Sequence, residues 1–240
     1  MTFSIVATDP TTKAVGVCQG TGSIALASRC PQVAGGVAVT SQWHSDWRLG
    51  LRALDLATSG LDPQVVLAAL ELTDPLFAYR QVGIVTDDGR VGAHTGSFAG
   101  GRSFSGHHTG AGYAVLGNGV VGPEVLTAVA QTFEAGAELA FEERLLRGLE
   151  AGLEAGGEGR RHLSSSLITT LRGERRPRLD LRVDIAPDGA DSIRELRRIF
   201  DEYGPLIDYY GDYWLDHPEV LGEEWLDLGQ PRTENRQRVS

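Results

Sequence analysis

Strand-like and helix-like segments come in runs along this chain, and that ordering constrains its fold more than any other feature. Phe3, Ile5 and Ala7 alternate with Ser4, Val6 and Thr8, the period-2 pattern of a strand. The turn cluster Asp9-Pro10-Thr11-Thr12-Lys13 leads into a second strand over Ala14–Gln19, so the two form a hairpin. A third strand covers 36–42. Two helices follow. Trp47–Ser59 has helical spacing of Leu51, Leu54 and Leu56, and Asp62-Pro63 supplies the N-cap and first residue of a helix ending near Thr73. Strands return at Gln81–Thr86 and Arg90–His94 around Asp87-Asp88-Gly89, a strong hairpin signal. The glycine-rich stretch Thr95–Gly112 reads as a loop and Tyr113–Leu116 as a short strand. Helices over Pro123–Ala135 and Ala137–Ala155, strands over Ser164–Leu171 and Leu179–Ile185, and an amphipathic helix over Asp191–Tyr203 complete the order βββ-αα-βββ-αα-ββ-α. A doubly wound parallel sheet needs strands and helices to alternate singly. Runs favour an α+β fold of stacked antiparallel sheets with helical layers outside.

Charge narrows the partners. The 240 residues carry a formal net charge of −10, which argues against nucleic acid or an anionic membrane, since both need a basic footprint. The apolar runs are too short for a bilayer span and the start lacks the pattern of a secretory signal, so a cytoplasmic location is expected. Cys18 and Cys30 form no C-x-x-C pair and are expected to be free thiols. Residues 1–203 read as one domain. Residues 204–240 read as an aromatic, acidic extension with a disordered end after about Gly229. Its Tyr209, Tyr210, Tyr213, Trp214 and Trp225 are expected to pin the tail to its own domain or to a second subunit, which would make a homo-oligomer.

Several residues have the right chemistry for a site. Thr2 is either a plain strand residue or, once Met1 is trimmed, a hydroxyl nucleophile whose own α-amine serves as base. Asn118, in Gly117-Asn118-Gly119, is either turn chemistry or a side-chain amide for an oxyanion hole. Gln42, Trp43 and His44 lie at a strand exit and could meet substrate, while Asp46 reads as a helix cap. His94, His107 and His108 share one region, but no carboxylate or cysteine spacing supports a metal site, so a single substrate-contacting imidazole, His94, is preferred. Ser164 and Ser166 share a strand face, and Ser164 could contact substrate or be a buried, hydrogen-bonded serine. Cys18 with His44 is a rival nucleophile pair that nothing in the sequence brings together. The G-x-G runs lack the context of a dinucleotide site. No metal or organic cofactor is expected.

Three stretches together carry a resemblance: TFSIVATD, RQVGIVTDDGRVGAHTG and GHHTGAGYAVLGNGVVGPEVL, supported by LDLRVD. On these the chain resembles the DUF1028 family over roughly Thr2 to Phe200. That family is placed in the N-terminal nucleophile (Ntn) hydrolase superfamily. The resemblance implies a four-layer αββα sandwich, like that of proteasome subunits and penicillin acylase, with Thr2 at the nucleophile position. The implied activity is hydrolysis of an amide bond in a small molecule or peptide. A non-catalytic binding module on the same fold is the alternative. The sequence departs from the family pattern at CQGTGS, where Arg29 is the nearest basic residue, at WHSDWRLG, and at Ser97-Phe98.

Overall fold

The computed structural model of the protein describes residues 1–101 and 103–227. By its contacts the described chain divides into two compact units, one over residues 1–197 and one from residue 198 on. In the first unit, ten strands are described: β1 (Thr2–Thr8), β2 (Val15–Thr21), β3 (Pro31–Ala34), β4 (Val37–Trp43), β5 (Arg80–Thr86), β6 (Val91–Thr95), β7 (Phe104–Gly110), β8 (Tyr113–Val120), β9 (Ser164–Thr170) and β10 (Leu179–Val183). They form two antiparallel sheets, one ordered β10-β9-β2-β1-β8-β7 and the other β3-β4-β5-β6.

Two of these strands are missing from the sequence pattern, for physical reasons. β7 lies within the expected loop Thr95–Gly112. It is an edge strand bonded only to β8, and His107, His108 and Thr109 are exposed, so it needs no apolar face and shows no alternation. β3 is four residues long and begins at Pro31, a strand-edge position that proline tolerates.

The helices are α1 (Trp47–Thr58), α2 (Pro63–Thr73), α3 (Pro123–Ala135), α4 (Phe141–Glu154), α5 (Ser192–Tyr203), α6 (Trp214–Asp216) and α7 (Gly222–Asp227). Asp46 caps α1 by accepting from the Arg48 N–H at 3.0 Å, and Asp62 caps α2 by accepting from the Gln64 N–H at 2.9 Å. α4 starts four residues later than the periodicity suggests, because Gly136 to Ala140 form a turn.

The period-2 pattern of β1 sorts its side chains between two environments. Phe3 packs against Gly152 of α4. Leu145 of α4 and Leu126 of α3 press onto Gly16 and Gly117 of the six-stranded sheet. α1 and α2 bury Leu49, Ala53, Val66, Leu67 and Leu70 against Val37, Val39, Val82 and Ile84 of the four-stranded sheet. The alternate residues of β1 face the other sheet. Val6 joins Val15, Val17, Ala38, Val85, Ala114 and Leu116 in an apolar cluster between the sheets. Ser4 instead donates to Gln42 Oε1 at 2.8 Å. The inter-sheet space is therefore apolar at one end and polar at the other, and Thr2 is the residue of β1 at the polar end.

The second unit has its own aromatic cluster. The Tyr209 ring lies 4.9 Å from Tyr210 and 5.8 Å from Trp225. Both polar ends are satisfied, with Tyr209 OH donating to Val220 O at 2.7 Å and Trp225 Nε1 to Pro205 O at 3.0 Å. These rings pack on one another within the unit. The end expected to be disordered after Gly229 lies outside the described residues. No described helix is long and apolar enough to cross a membrane.

Candidate functional site

Thr2 opens β1, paired on one side with Thr21 of β2 and on the other with Asn118 of β8. It is 5 % exposed and lies beneath Met1. Its Oγ1 is 2.7 Å from the Met1 carbonyl oxygen and 3.3 Å from Thr21 Oγ1. Thr21 Oγ1 donates to the same carbonyl oxygen at 2.6 Å. Two hydroxyls thus converge on one acyl oxygen. Behind Thr21 the chain of contacts continues: Ser23 Oγ lies 3.2 Å from Thr21 Oγ1, and Arg29 donates to Ser23 Oγ at 2.7 Å. Arg29 also donates to the carbonyls of Ile24 and Ala25, which ties the segment after β2 into place.

A carboxylate closes the other flank. Glu158 has a fully buried side chain. Both its oxygens accept from the Gly22 N–H at 3.0 Å, and Arg160 Nε pairs with it at 3.2 Å. Burial lowers the Met1 α-amine from the usual amine range; the Glu158 charge opposes that shift, while Arg160 and Arg29 add to it.

Under this cluster runs a buried amide network. Gln42 Nε2 donates to Gln81 Oε1 at 2.7 Å and Asn118 Nδ2 donates to the same atom at 2.8 Å. Gln81 Nε2 reaches Thr95 Oγ1, Gly106 O and Gly117 O at 2.9, 3.0 and 2.9 Å. Gln19 links Thr40 to Ser166 in a parallel arrangement. Asn118 is fully buried, and its Oδ1 has no hydrogen-bond partner. One of the two Asn118 Nδ2 hydrogens is thus engaged by Gln81, and the unsatisfied atom is an acceptor.

The remaining sequence candidates divide. Trp43 has a left-handed backbone at φ 70°, rare for a bulky residue and a form of strain that collects at functional sites. Its indole N–H is buried without a partner. Trp43, His44, Tyr79 and Phe98 follow one another as a strip of ring contacts at 6.1, 5.7 and 4.8 Å. A hollow of about 360 Å³ lined by Ser45, Asp46, Trp47, Arg48 and Arg80 opens beside the same loop. Ser164 is a structural hydroxyl: it donates to Ser23 O at 2.7 Å and accepts from the Leu26 N–H at 3.1 Å. It therefore holds the segment behind Thr21. His94 is on the other face of its sheet, stacked on Phe77 at 4.0 Å, because it pairs with Val82, whose side chain belongs to the core under α1 and α2. Burial lowers its ring below the usual histidine range. His107 Nδ1 is 2.9 Å from Thr95 Oγ1, which places it at the edge of the amide network. Cys18 is buried toward the helices near Glu150 and Arg197, where burial pushes its thiol up, so it does not pair with His44. Among the described residues, no group of three or more His, Cys, Asp or Glu side chains is placed to hold a metal ion.

Sequence reasoning missed Thr21, Gln81 and Glu158. Thr21 carries a findable signal, since it continues the β2 alternation Val17, Gln19, Thr21 onto the inter-sheet face. Glu158 sits in a helix-ending glycine run and carries none.

The comparisons agree with this architecture. The crystal structure of protein SPO2555 from Silicibacter pomeroyi, itself given as DUF1028, superposes with a TM-score of 0.74 at 30% identity, covering 84% of this chain and 85% of that one. No curated protein matches. Residues 2–196 match the family of unknown function DUF1028, and the chain belongs to that family.

Proposed function

We propose that the protein is an Ntn-type amidohydrolase on an αββα sandwich, acting on a small molecule or peptide with Thr2 as nucleophile once the Met1–Thr2 bond is cut. The observation that carries this reading is the Thr2 hydroxyl, which lies within hydrogen-bond reach of an acyl oxygen at the polar end of the inter-sheet space. With Met1 gone, Thr2 Oγ attacks the substrate carbonyl carbon and its own α-amine takes the hydroxyl proton. A terminal amine with a pKa near about 8 is partly unprotonated at neutral pH and suits that task. The tetrahedral intermediate collapses, the C–N bond breaks, and the leaving amine receives the proton. Water then attacks the Thr2 ester and releases the acid, so one amide and one water give one acid and one amine. Asn118, Gln42 and Gln81 position the strand ends that carry this chemistry. The aromatic strip of Trp43 and His44 borders substrate. The reaction needs no metal or organic cofactor.

The buried position of Thr2 beneath Met1 favours a second reading, a binding module in which the Met1–Thr2 bond stays intact. Intact mass separates the two. Loss of Met1, together with turnover in an amide panel that Thr2→Ala abolishes, supports the hydrolase. A natively expressed, folded protein that keeps Met1 removes the amine base and leaves the binding module.

A further inference from the structure

Met1 fills a shaped slot. Gly119, next to Asn118, has φ 70°, and a Cβ built on it would lie 2.0 Å from Met1 Cγ and 2.8 Å from both Met1 Cβ and Sδ. Three successive atoms of an unbranched side chain therefore lie along bare backbone. The Gly119 N–H is held by Ser105 Oγ at 3.2 Å, and Ser105 in turn fills the space where a Gly100 side chain would sit. The Met1 carbonyl oxygen accepts from Thr21 Oγ1, and the buried Glu158 carboxylate is anchored on the next residue, Gly22. Side chain and carbonyl of one amino-acyl group thus each have a distinct neighbour, and the Glu158 charge acts on its α-amine. That acyl carbonyl is also the group within reach of Thr2 Oγ1.

We infer that Met1 occupies the acyl subsite of the enzyme, and that the processed site takes an α-aminoacyl amide with an unbranched apolar side chain of methionine size. The side chain lies along Gly119, the carbonyl oxygen accepts from Thr21 Oγ1, and the α-ammonium faces Glu158. A β-branched side chain collides at the Gly119 wall, and an acylated α-nitrogen leaves the Glu158 carboxylate without a charge to meet. The inference rests on the hydrolase reading for turnover, but binding tests it separately.

The experiment uses Thr2→Ala protein lacking Met1, titrated calorimetrically with L-methioninamide, L-valinamide and N-acetyl-L-methioninamide. Methioninamide should bind at least tenfold tighter than either of the others. Gly119→Ala and Glu158→Gln should each cost at least tenfold, with folding checked by melting. A chain that keeps Met1, made with methionine aminopeptidase inhibited, should show no binding because its slot is full. Equal binding of the three amides, or binding unaffected by Glu158→Gln, overturns the inference. Thr2-dependent turnover of other amides without methioninamide binding overturns the subsite and leaves the hydrolase standing. Tight methioninamide binding with no turnover of methionyl-aminocoumarin by the processed Thr2 protein keeps the subsite and removes the hydrolase.

Discussion

Asn118 lies directly across the β1–β8 pairing from Thr2, yet its Nδ2 donates to Gln81 at 2.8 Å. Gln81 is therefore the hub under the site. It accepts from Gln42 and Asn118 and donates toward Thr95, Gly106 and Gly117. Truncating it orphans buried donors and acceptors on both sheets, each worth about 1–3 kcal/mol when left unsatisfied. Gln81→Ala should destabilise the protein by about 3 kcal/mol or more in urea unfolding. A loss under about 1 kcal/mol would show that the network does not hold the sheets together.

Gly96 marks a close backbone approach. A Cβ there would lie 2.2 Å from Ala78 O and 2.5 Å from Ala78 C, atoms that cannot rotate away. Gly96 and Phe98 both donate to this segment, to Arg80 O and Ala78 O at 2.9 Å, which sets Phe98 against Tyr79. Gly96→Ala should cost about 2–4 kcal/mol and weaken the ring stacking. Gly60, with φ 96° and nothing within 4 Å of a built Cβ, is the control. Gly60→Ala should cost only the left-handed strain of about 1–2 kcal/mol. Equal losses at the two positions would refute the clash argument.

How much of this could be read in advance follows from which residues repeat. The α+β class, both capped helices and the Asp87-Asp88-Gly89 hairpin were legible, because periodicity and turn chemistry are local. So was the start of β1 next to Thr2. The face of β6 that His94 occupies was not legible, because one position of register decides it and no local pattern fixes that. Glu158 reaches the site through Gly22, 136 residues away, and the partners of Gln81 lie between 14 and 39 residues away, so no local pattern marks either residue.

Asp191 joins the start of β9 to α5. Its Oδ2 accepts from the His162 N–H and lies 2.9 Å from His162 Nδ1, and its Oδ1 accepts from the Ile193 N–H. Burial alone would raise its pKa, but the hydrogen bonds from His162 and Ile193 together outweigh that and hold it below the ordinary carboxylate range. A carboxyl depressed on folding contributes stability that is full above its unfolded pKa of about 3.9 and disappears as pH falls through the folded value. Asp191→Asn should therefore destabilise the protein at pH 7 and flatten the acid limb of a stability–pH curve below about pH 4. An unchanged acid limb would exclude Asp191 as a source of the acid sensitivity.

Arg29 reaches the site through Ser23 and Thr21, and its positive charge works against protonation of the chain's terminal amine. Removing that charge should raise the amine pKa. In protein that keeps Met1, Arg29→Met should move the rising limb of amine labelling to higher pH, because more of the amine is then protonated at a given pH. Ser23→Ala breaks the hydrogen-bond chain but keeps the charge, so its limb should stay near that of the parent protein while the orientation of Thr21 suffers. Labelling is measured with a limiting amine reagent across pH 6–10 and read as N-terminal modification by mass, which needs no substrate. If Ser23→Ala shifts the limb as far as Arg29→Met does, the effect comes from the loosened Ser23–Arg29 segment, and the electrostatic account of the amine falls.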